Sequence, residues 1–271
     1  MANPTAAQVS AGYNARVAGI RAALLAVLVG LWKALPDYRG PAAAKFIAQT
    51  APLIAGAQLQ VAQLTAAYLA AVTGGQLGRT VPAVPVRPAD VANLRGVAPS
   101  VLYQRPFTQV YTELSRGVPI DTAVDRGRIR LVDLATTDVQ LAKTHTARRA
   151  LAAEPAIAGY RRVLVGEENC GLCVVASTQL YHREELLPIH PGCDCSVEPV
   201  HGEHTGQVLD KDVLAAAHAA IAERFGKFDA GGRAPDYRKV ILVRQHGEIG
   251  PVLTVKGQEF TGPGDLTGSG S

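Results

Sequence analysis

All four cysteines of this 271-residue chain fall between positions 170 and 195. They read Cys170-Gly171-Leu172-Cys173, a spacer, then His190-Pro191-Gly192-Cys193-Asp194-Cys195. Few chemistries use such a cluster. A Cys-x-x-Cys turn sets two sulfurs on one metal, and an intervening segment returns a second pair to close a tetrahedral site. Gly171, Pro191 and Gly192 permit the tight turns this requires. Five residues, Cys170, Cys173, His190, Cys193 and Cys195, compete for four places. Cys170 and Cys173 come first; Cys195 and either Cys193 or His190 complete the set. The stretch from Glu167 to Pro199 is polar and turn-rich, too poor in apolar side chains to build its own core. A structural Zn2+ supplies the missing folding free energy, on the order of 10 kcal/mol in small zinc modules.

Four other readings compete. The two halves could form a disulfide late, in a particle that oxidises, or the thiols could simply be buried. A redox Cys-x-x-Cys lacks thioredoxin-like surroundings. A catalytic zinc needs an open position and a carboxylate base. Glu167, Glu168, Glu184, Glu185 and Asp194 are near in sequence, but cysteine-rich zinc sites are usually closed.

The first half of the chain is patterned as helix. Alanine dominates, with one Trp and one Met, a composition that favours helices packed at close range. From Gln8 to Leu35 apolar residues recur at Val17, Ile20, Leu24, Leu25, Leu28, Leu31, Trp32 and Leu35, and Pro36 stops them. After a turn at Asp37 to Pro41, a second helix is predicted from about Ala42 to Thr73. Its apolar face is Phe46, Leu53, Ile54, Leu59, Val61, Leu64, Tyr68 and Val72, with a kink or break at Pro52 and an end at Gly74-Gly75. The two form an antiparallel hairpin. The longest apolar run, Ala22 to Trp32, is shorter than the ~20 residues of a membrane span. It reads as a buried helix segment, and no membrane partner is expected. No secretory signal is visible, so the chain is expected to be made in a reducing cytoplasm, where clustered cysteines bind metal more often than they pair.

Thr80 to Pro99 carries Pro82, Pro85, Pro88 and Pro99, an extended arm that is either a surface loop or a grip on a neighbouring subunit. A short helix is predicted over Thr108 to Arg116, broken at Gly117-Val118-Pro119. Asp121 then caps a long helix to about Ala153. Arg126, Arg128, Arg130, Lys143, Arg148 and Arg149 make that helix basic: either a solvated face or a surface for acidic protein or packaged DNA. The formal net charge of +4 is too mild to imply nucleic-acid binding by itself. Tyr160 to Val165 and Ser196 to Val200 read as short strands flanking the cysteine segment. Lys211 to Phe225 reads as a helix, with Asp210 or Asp212 near its start. Tyr237 to Gln245 reads as a further helix, Gly250 to Val255 as a strand, and Thr261 to Ser271 as a tail rich in Gly, Pro, Ser and Thr.

The cysteine segment resembles the module of phage head-morphogenesis proteins of the Mu gpF-like (MuF) family, which are minor capsid proteins. The likeness rests on Tyr160-Arg161-Arg162-Val163-Leu164, on Cys170-Gly171-Leu172-Cys173, and above all on His190-Pro191-Gly192-Cys193-Asp194-Cys195. Glu167 to Gln179 and Leu186 to His190 are similar to versions in phages of actinobacteria. The resemblance is strong over about 45 residues and loose over the rest of the second half. One departure stands out: the family run often carries Arg between the last two cysteines, where this chain has Asp194. The resemblance implies a minor head protein, made in the host cytoplasm and carried in the virion. It would be recruited to the procapsid through the portal, the scaffold or the major capsid protein.

A capsid maturation protease is the alternative. Its pieces would be His145, Ser115, Ser177 or Ser196, and Asp133 or Asp138. No Gly-x-Ser-x-Gly elbow is present, and a cysteine protease using Cys170 or Cys193 with His182 or His190 would leave the other cysteines unexplained. No phosphate-binding glycine loop appears either. The expected fold is mainly α with a small α+β metal-binding module. It divides into an N-terminal helical hairpin (1–78), a Pro-rich arm (79–107), a helical segment (108–156), the zinc-knuckle module (157–200), a C-terminal helical and short-strand extension (201–260) and a flexible tail (261–271). No catalytic residue is assigned.

Overall fold

A computed structural model of the chain describes residues 5–165, 171–183, 186–187, 189, 193–202, 206, 208–225, 241–246 and 250–255. It is mainly helical, with a small three-stranded sheet.

Helix α1 runs from Ala6 to Lys33. Its start is fixed by a reciprocal cap: the Thr5 hydroxyl accepts from the Gln8 amide at 3.2 Å, and the Gln8 side chain accepts from the Thr5 amide at 2.8 Å. Helix α2 spans Gly40–Leu77. It runs through Pro52 without ending, so of the expected kink or break the break does not occur. A proline removes one hydrogen bond, and here the helix is held on both sides of it by Phe46, Ile47, Ile54 and Ala57, all buried in one core. The end lies slightly beyond Gly74-Gly75: Gly78 takes a left-handed φ of 63° and its amide bonds back to the Gly74 carbonyl. The end of α1 meets the start of α2 (Trp32 against Phe46), and Tyr13 near its beginning stacks on Tyr68 far along α2, ring centroids 4.2 Å apart. The hairpin is therefore antiparallel, as predicted.

Both helices are long and apolar enough to cross a membrane by length and composition. The run from Ala22 to Trp32 understates α1 because, beyond Arg21, Val17-Ala18-Gly19-Ile20 continue its apolar character toward the N-terminus. In the fold α1 lies on the bundle through Leu24, Leu28 and Trp32, and its most apolar window is 17% buried, against 44% for α2. It is a peripheral helix.

The Pro-rich arm is extended only as far as Arg87. Two single-turn helices follow, α3 (Pro88–Val91) and α4 (Pro99–Leu102), both against α2. Between them Arg95 reaches Asp138, donating from Nε at 2.5 Å, and donates to the Leu134 carbonyl at 2.9 Å; Tyr103 donates to the other Asp138 oxygen at 2.5 Å. The second part of the arm is thus strapped to its own chain. Helix α5 (Arg105–Ser115) ends at Gly117, whose φ is 78°. Helix α6 (Ile120–Ala153) follows. Pro119, not Asp121, occupies its cap position, and Asp121 lies in the first turn.

Helix α6 is the axis of the molecule. It touches α1, α2, α5 and the sheet, and every residue from Thr137 to Lys143 is buried. A solvated basic face is therefore not what most of it presents. Arg130 and Lys143 point inward. Arg126 pairs with Glu113, Arg128 with Asp125, and Arg149 with Asp90 while donating to the Pro85 carbonyl. Trp32, Phe46 and Phe107 bring α1, α2 and α5 together, with ring centroids 4.9 to 5.7 Å apart.

The sheet has the order β2-β1-β3 and is antiparallel throughout: β1 (Ile157–Val163) in the middle, β2 (Leu180–His182) and β3 (Ser196–His201) at its sides. Strand β2 is too short to show periodicity in the sequence. Gly159 sits close against β2; a Cβ there would lie 2.5 Å from the Tyr181 carbonyl oxygen. Tyr160, Val197 and Leu186 join Tyr13, Tyr68, Ala147 and Leu151 in a second core. That core seats the α/β module on the helices.

Helix α7 (Gly171–Ser177) lies in the cysteine segment, and α8 (Lys211–Phe225) has the predicted bounds, with the Asp210 carboxylate accepting from the Val213 amide at 3.0 Å. The helix expected over Tyr237 to Gln245 is corrected. Ile241–His246 is strand β4, paired antiparallel with β5 (Gly250–Val255) from Ile241↔Val255 to His246↔Gly250. The partner strand decides the matter, since Ile241, Leu242 and Val243 pair with Val255, Thr254 and Leu253 of β5. Residues 237–240 and the tail from 261 lie outside the described residues.

Candidate metal centre

Two elements carry the described cysteines. Cys173 stands in the first turn of α7, and Cys193 and Cys195 lie on the segment entering β3. Their sulfurs all lie within 4.8 Å of one another, and the Cys173 and Cys193 sulfurs are 3.5 Å apart. All three side chains are buried, with exposures of 3%, 6% and 8%. Zn–S bonds of about 2.3 Å in a tetrahedron put sulfurs roughly 3.8 Å apart. The three thiols therefore already stand near three corners of such a site. Ala176 and Ile189 pack around them, with Leu164 and Tyr181 at the margin. Cys170 and His190 lie outside the described residues, as do Glu167, Glu168, Glu184 and Glu185.

The cluster is electrostatically unusual. A hydrogen bond with Cys173 works to lower the Cys195 pKa. Hydrogen bonding to Cys193, burial and the Cys193 charge outweigh it and push the thiol up to about 12. Without a cation Cys195 holds its proton, whereas a coordinating thiol is deprotonated outright. The residues fit a thiolate-binding metal such as Zn2+: three soft, buried, converging sulfurs. Zinc would supply folding energy there, and Cys173, Cys193 and Cys195 would hold it.

Three cations surround the sulfurs, and none was identified as part of the site from sequence. Lys143 of α6 donates from Nζ to the Asp194 carbonyl at 2.7 Å. Burial lowers its pKa to about 8, opposed by Cys193 and Cys195. Arg21 of α1 pairs with the Asp194 carboxylate through both of its terminal nitrogens. Arg162 of β1 is 5% exposed, donates to the Leu187 carbonyl at 2.6 Å, and lies over the rings of Tyr160 and Tyr181 at 5.8 and 5.4 Å. The carboxylate at 194 thus has a cationic partner on α1. An acid in a run that often carries a base is the one signal that could have pointed to such a partner. Nothing in the basic pattern of α6 marks Lys143 as different from its neighbours.

The structure also places the pieces of a possible protease. The Ser115 and Ser177 hydroxyls donate to the Thr112 and Val174 carbonyls of their own helices, at 2.8 and 2.7 Å. Asp138 is engaged by Arg95 and Tyr103. His145 is half-buried on α6, its pKa lowered by burial and then by Arg148 and Arg149. Ser196 is buried at the start of β3, next to the cysteines. His182 is exposed at the end of β2.

No curated protein and no solved structure matches the chain. Residues 4–221 match the family described as VG15 protein. The match takes in α1 to α7, the sheet and most of α8, and the chain belongs to this family of viral, phage-associated proteins.

Proposed function

We propose that this VG15-family chain is a structural minor head protein of a tailed phage, of the MuF type. It would act in procapsid assembly through contacts with the portal or the inner shell, and travel in the virion. The observation that carries the reading is the buried trio Cys173, Cys193 and Cys195, seated on a long-helix bundle by Arg21 and Lys143. Family membership supports a viral role. The cysteine motif, through its likeness to the MuF module, supports the head-assembly role in particular.

In this reading a structural zinc rigidifies the α/β module, and the module and helices together form a docking unit. Cys170 or His190 completes the ligand set beside the three described cysteines. The ion-paired state of Arg126, Arg128 and Arg149 favours a protein partner over packaged DNA. Helices α1 and α2 act as bundle helices, not as membrane spans, because Leu24, Leu28 and Trp32 of α1 pack into one core with Phe46 and Ile54 of α2.

The test is co-expression of the full chain with the portal protein and, separately, the major capsid protein encoded by the same virus. A stable complex with one of them, and presence of the chain in purified particles, is expected. Absence from particles together with no complex in either pairing would refute the proposal.

A further inference from the structure

From the way Asp194 is gripped we infer that its carboxylate is a latch: it holds the middle of α1 to the cysteine turn, so that metal binding at the turn and docking of α1 strengthen each other. This rests on the metal reading above and goes beyond it by coupling the site to a helix that carries none of its ligands.

Helix α1 is anchored to the two cores at separate places. Tyr13 stacks on Tyr68 in the second core, and Leu24, Leu28 and Trp32 enter the first. Between Tyr13 and Leu24 none of its residues is buried; Asn14, Val17, Ile20 and Arg21 are half-buried and the rest are exposed. Arg21 ties this loosely held stretch to the α/β module. It donates from Nη2 to Asp194 Oδ2 at 2.6 Å, and its Nη1 pairs with the other carboxylate oxygen. Two charge-assisted bonds in a fork fix direction as well as distance. Asp194 itself stands between Cys193 and Cys195, and Lys143 of α6 donates to its carbonyl at 2.7 Å. One residue of the turn is thus gripped through its side chain by α1 and through its backbone by α6. Metal bonds to the cysteines on both sides of it would restrain that backbone. A carboxylate already held in place gives up less conformational freedom when it takes up Arg21. The reverse holds by linkage: an α1 that holds the carboxylate favours, by the same factor, the turn that binds metal. The two side chains are 26% and 44% exposed, and the worth of such pairs limits the factor to about 5-fold.

The test is hydrogen exchange over residues 14–23 of the full-length chain, read by mass spectrometry with Zn2+ in excess and again after chelation. Arg21→Gln removes the grip from a position off the turn. In the zinc-loaded chain it is expected to speed exchange over this stretch about 2- to 5-fold, and Arg21→Lys, which keeps the charge and loses the fork, is expected to fall between the two. Chelation is expected to speed exchange there more in wild type than in Arg21→Gln, a difference that a merely structural role would not produce. The zinc affinity of Arg21→Gln, measured by competition with a chromophoric chelator, is expected to fall by a similar factor. An equal response to chelation in both chains, or exchange in Arg21→Gln unchanged from wild type, overturns the coupling and leaves the zinc site standing. A wild type that takes up no zinc overturns both.

Discussion

Gly127 offers the sharpest test of how the helices pack. It lies in α6 beneath the aromatic junction. A Cβ there would stand 2.6 Å from Val110 Cγ2, 2.9 Å from the Pro106 carbonyl oxygen and 2.9 Å from Trp32 Cζ2. Carbon atoms in comfortable contact are about 3.5–4.0 Å apart, so α5 and the Trp32 ring would have to retreat by about 1 Å. Neither has room: Val110 and Trp32 are 0% and 1% exposed, and the ring is held by Phe46, Phe107 and a 3.3 Å hydrogen bond from its Nε1 to the Val124 carbonyl. Overpacking of this kind costs ~1–3 kcal/mol, and three simultaneous clashes, one with backbone, place it at the upper end. Helix propensity returns about 1 kcal/mol for Gly→Ala. The net expectation for Gly127→Ala is a loss of roughly 2 kcal/mol, or about 4–8 °C in Tm for a chain of this size. Gly19→Ala in α1 is the internal control. Nothing lies within 4 Å of its Cβ position, so propensity acts alone and the variant gains up to ~1 kcal/mol. Urea unfolding followed by circular dichroism compares the two. Shifts in the same direction, or a Gly127→Ala chain as stable as wild type, would refute the packing described.

Two further outcomes follow from single contacts. Glu154, just past α6, has its pKa lowered first by the Ala156 amide, which it accepts at 3.1 Å, and then by Arg79, which donates at 2.7 Å. A depressed folded-state pKa contributes stability that is present above the unfolded value near 4.5 and lost as pH falls through the folded one; Glu154→Gln is therefore expected to flatten the acid limb of a stability–pH curve below about pH 4.5. Gly159→Ala drives a methyl to 2.5 Å from the Tyr181 carbonyl, so β2 is expected to separate from β1, with faster amide exchange at Tyr181 and His182 and little change in α1.

Much of this architecture is legible in the sequence because its signals are local. The Gly117-Val118-Pro119 break, the helix from Lys211 to Phe225 and the strands around the cysteine segment follow from turn chemistry and apolar spacing alone. What escapes is decided by partners distant in the chain. Helix α2 survives Pro52 because packing on both sides outweighs one lost hydrogen bond. Strand β2 exists only because β1 lies beside it, and Ile241–His246 is a strand because Gly250–Val255 returns along it. The candidate site divides in the same way. Its cysteines announce themselves by type and spacing. Lys143 and Arg21 do not, because their role comes from meeting a turn at Asp194, 51 and 173 positions away.

The central claim is that the cysteine turn is a metal site fastening the α/β module to the helices. Metal analysis of the purified, reduced full-length chain tests it most directly, with Cys173→Ser, Cys193→Ser and Cys195→Ser beside it. About one zinc per chain is expected, lost in each variant together with the cooperative unfolding of the module. Reduced wild-type protein that is folded and carries no metal, even after incubation with Zn2+, would contradict the account.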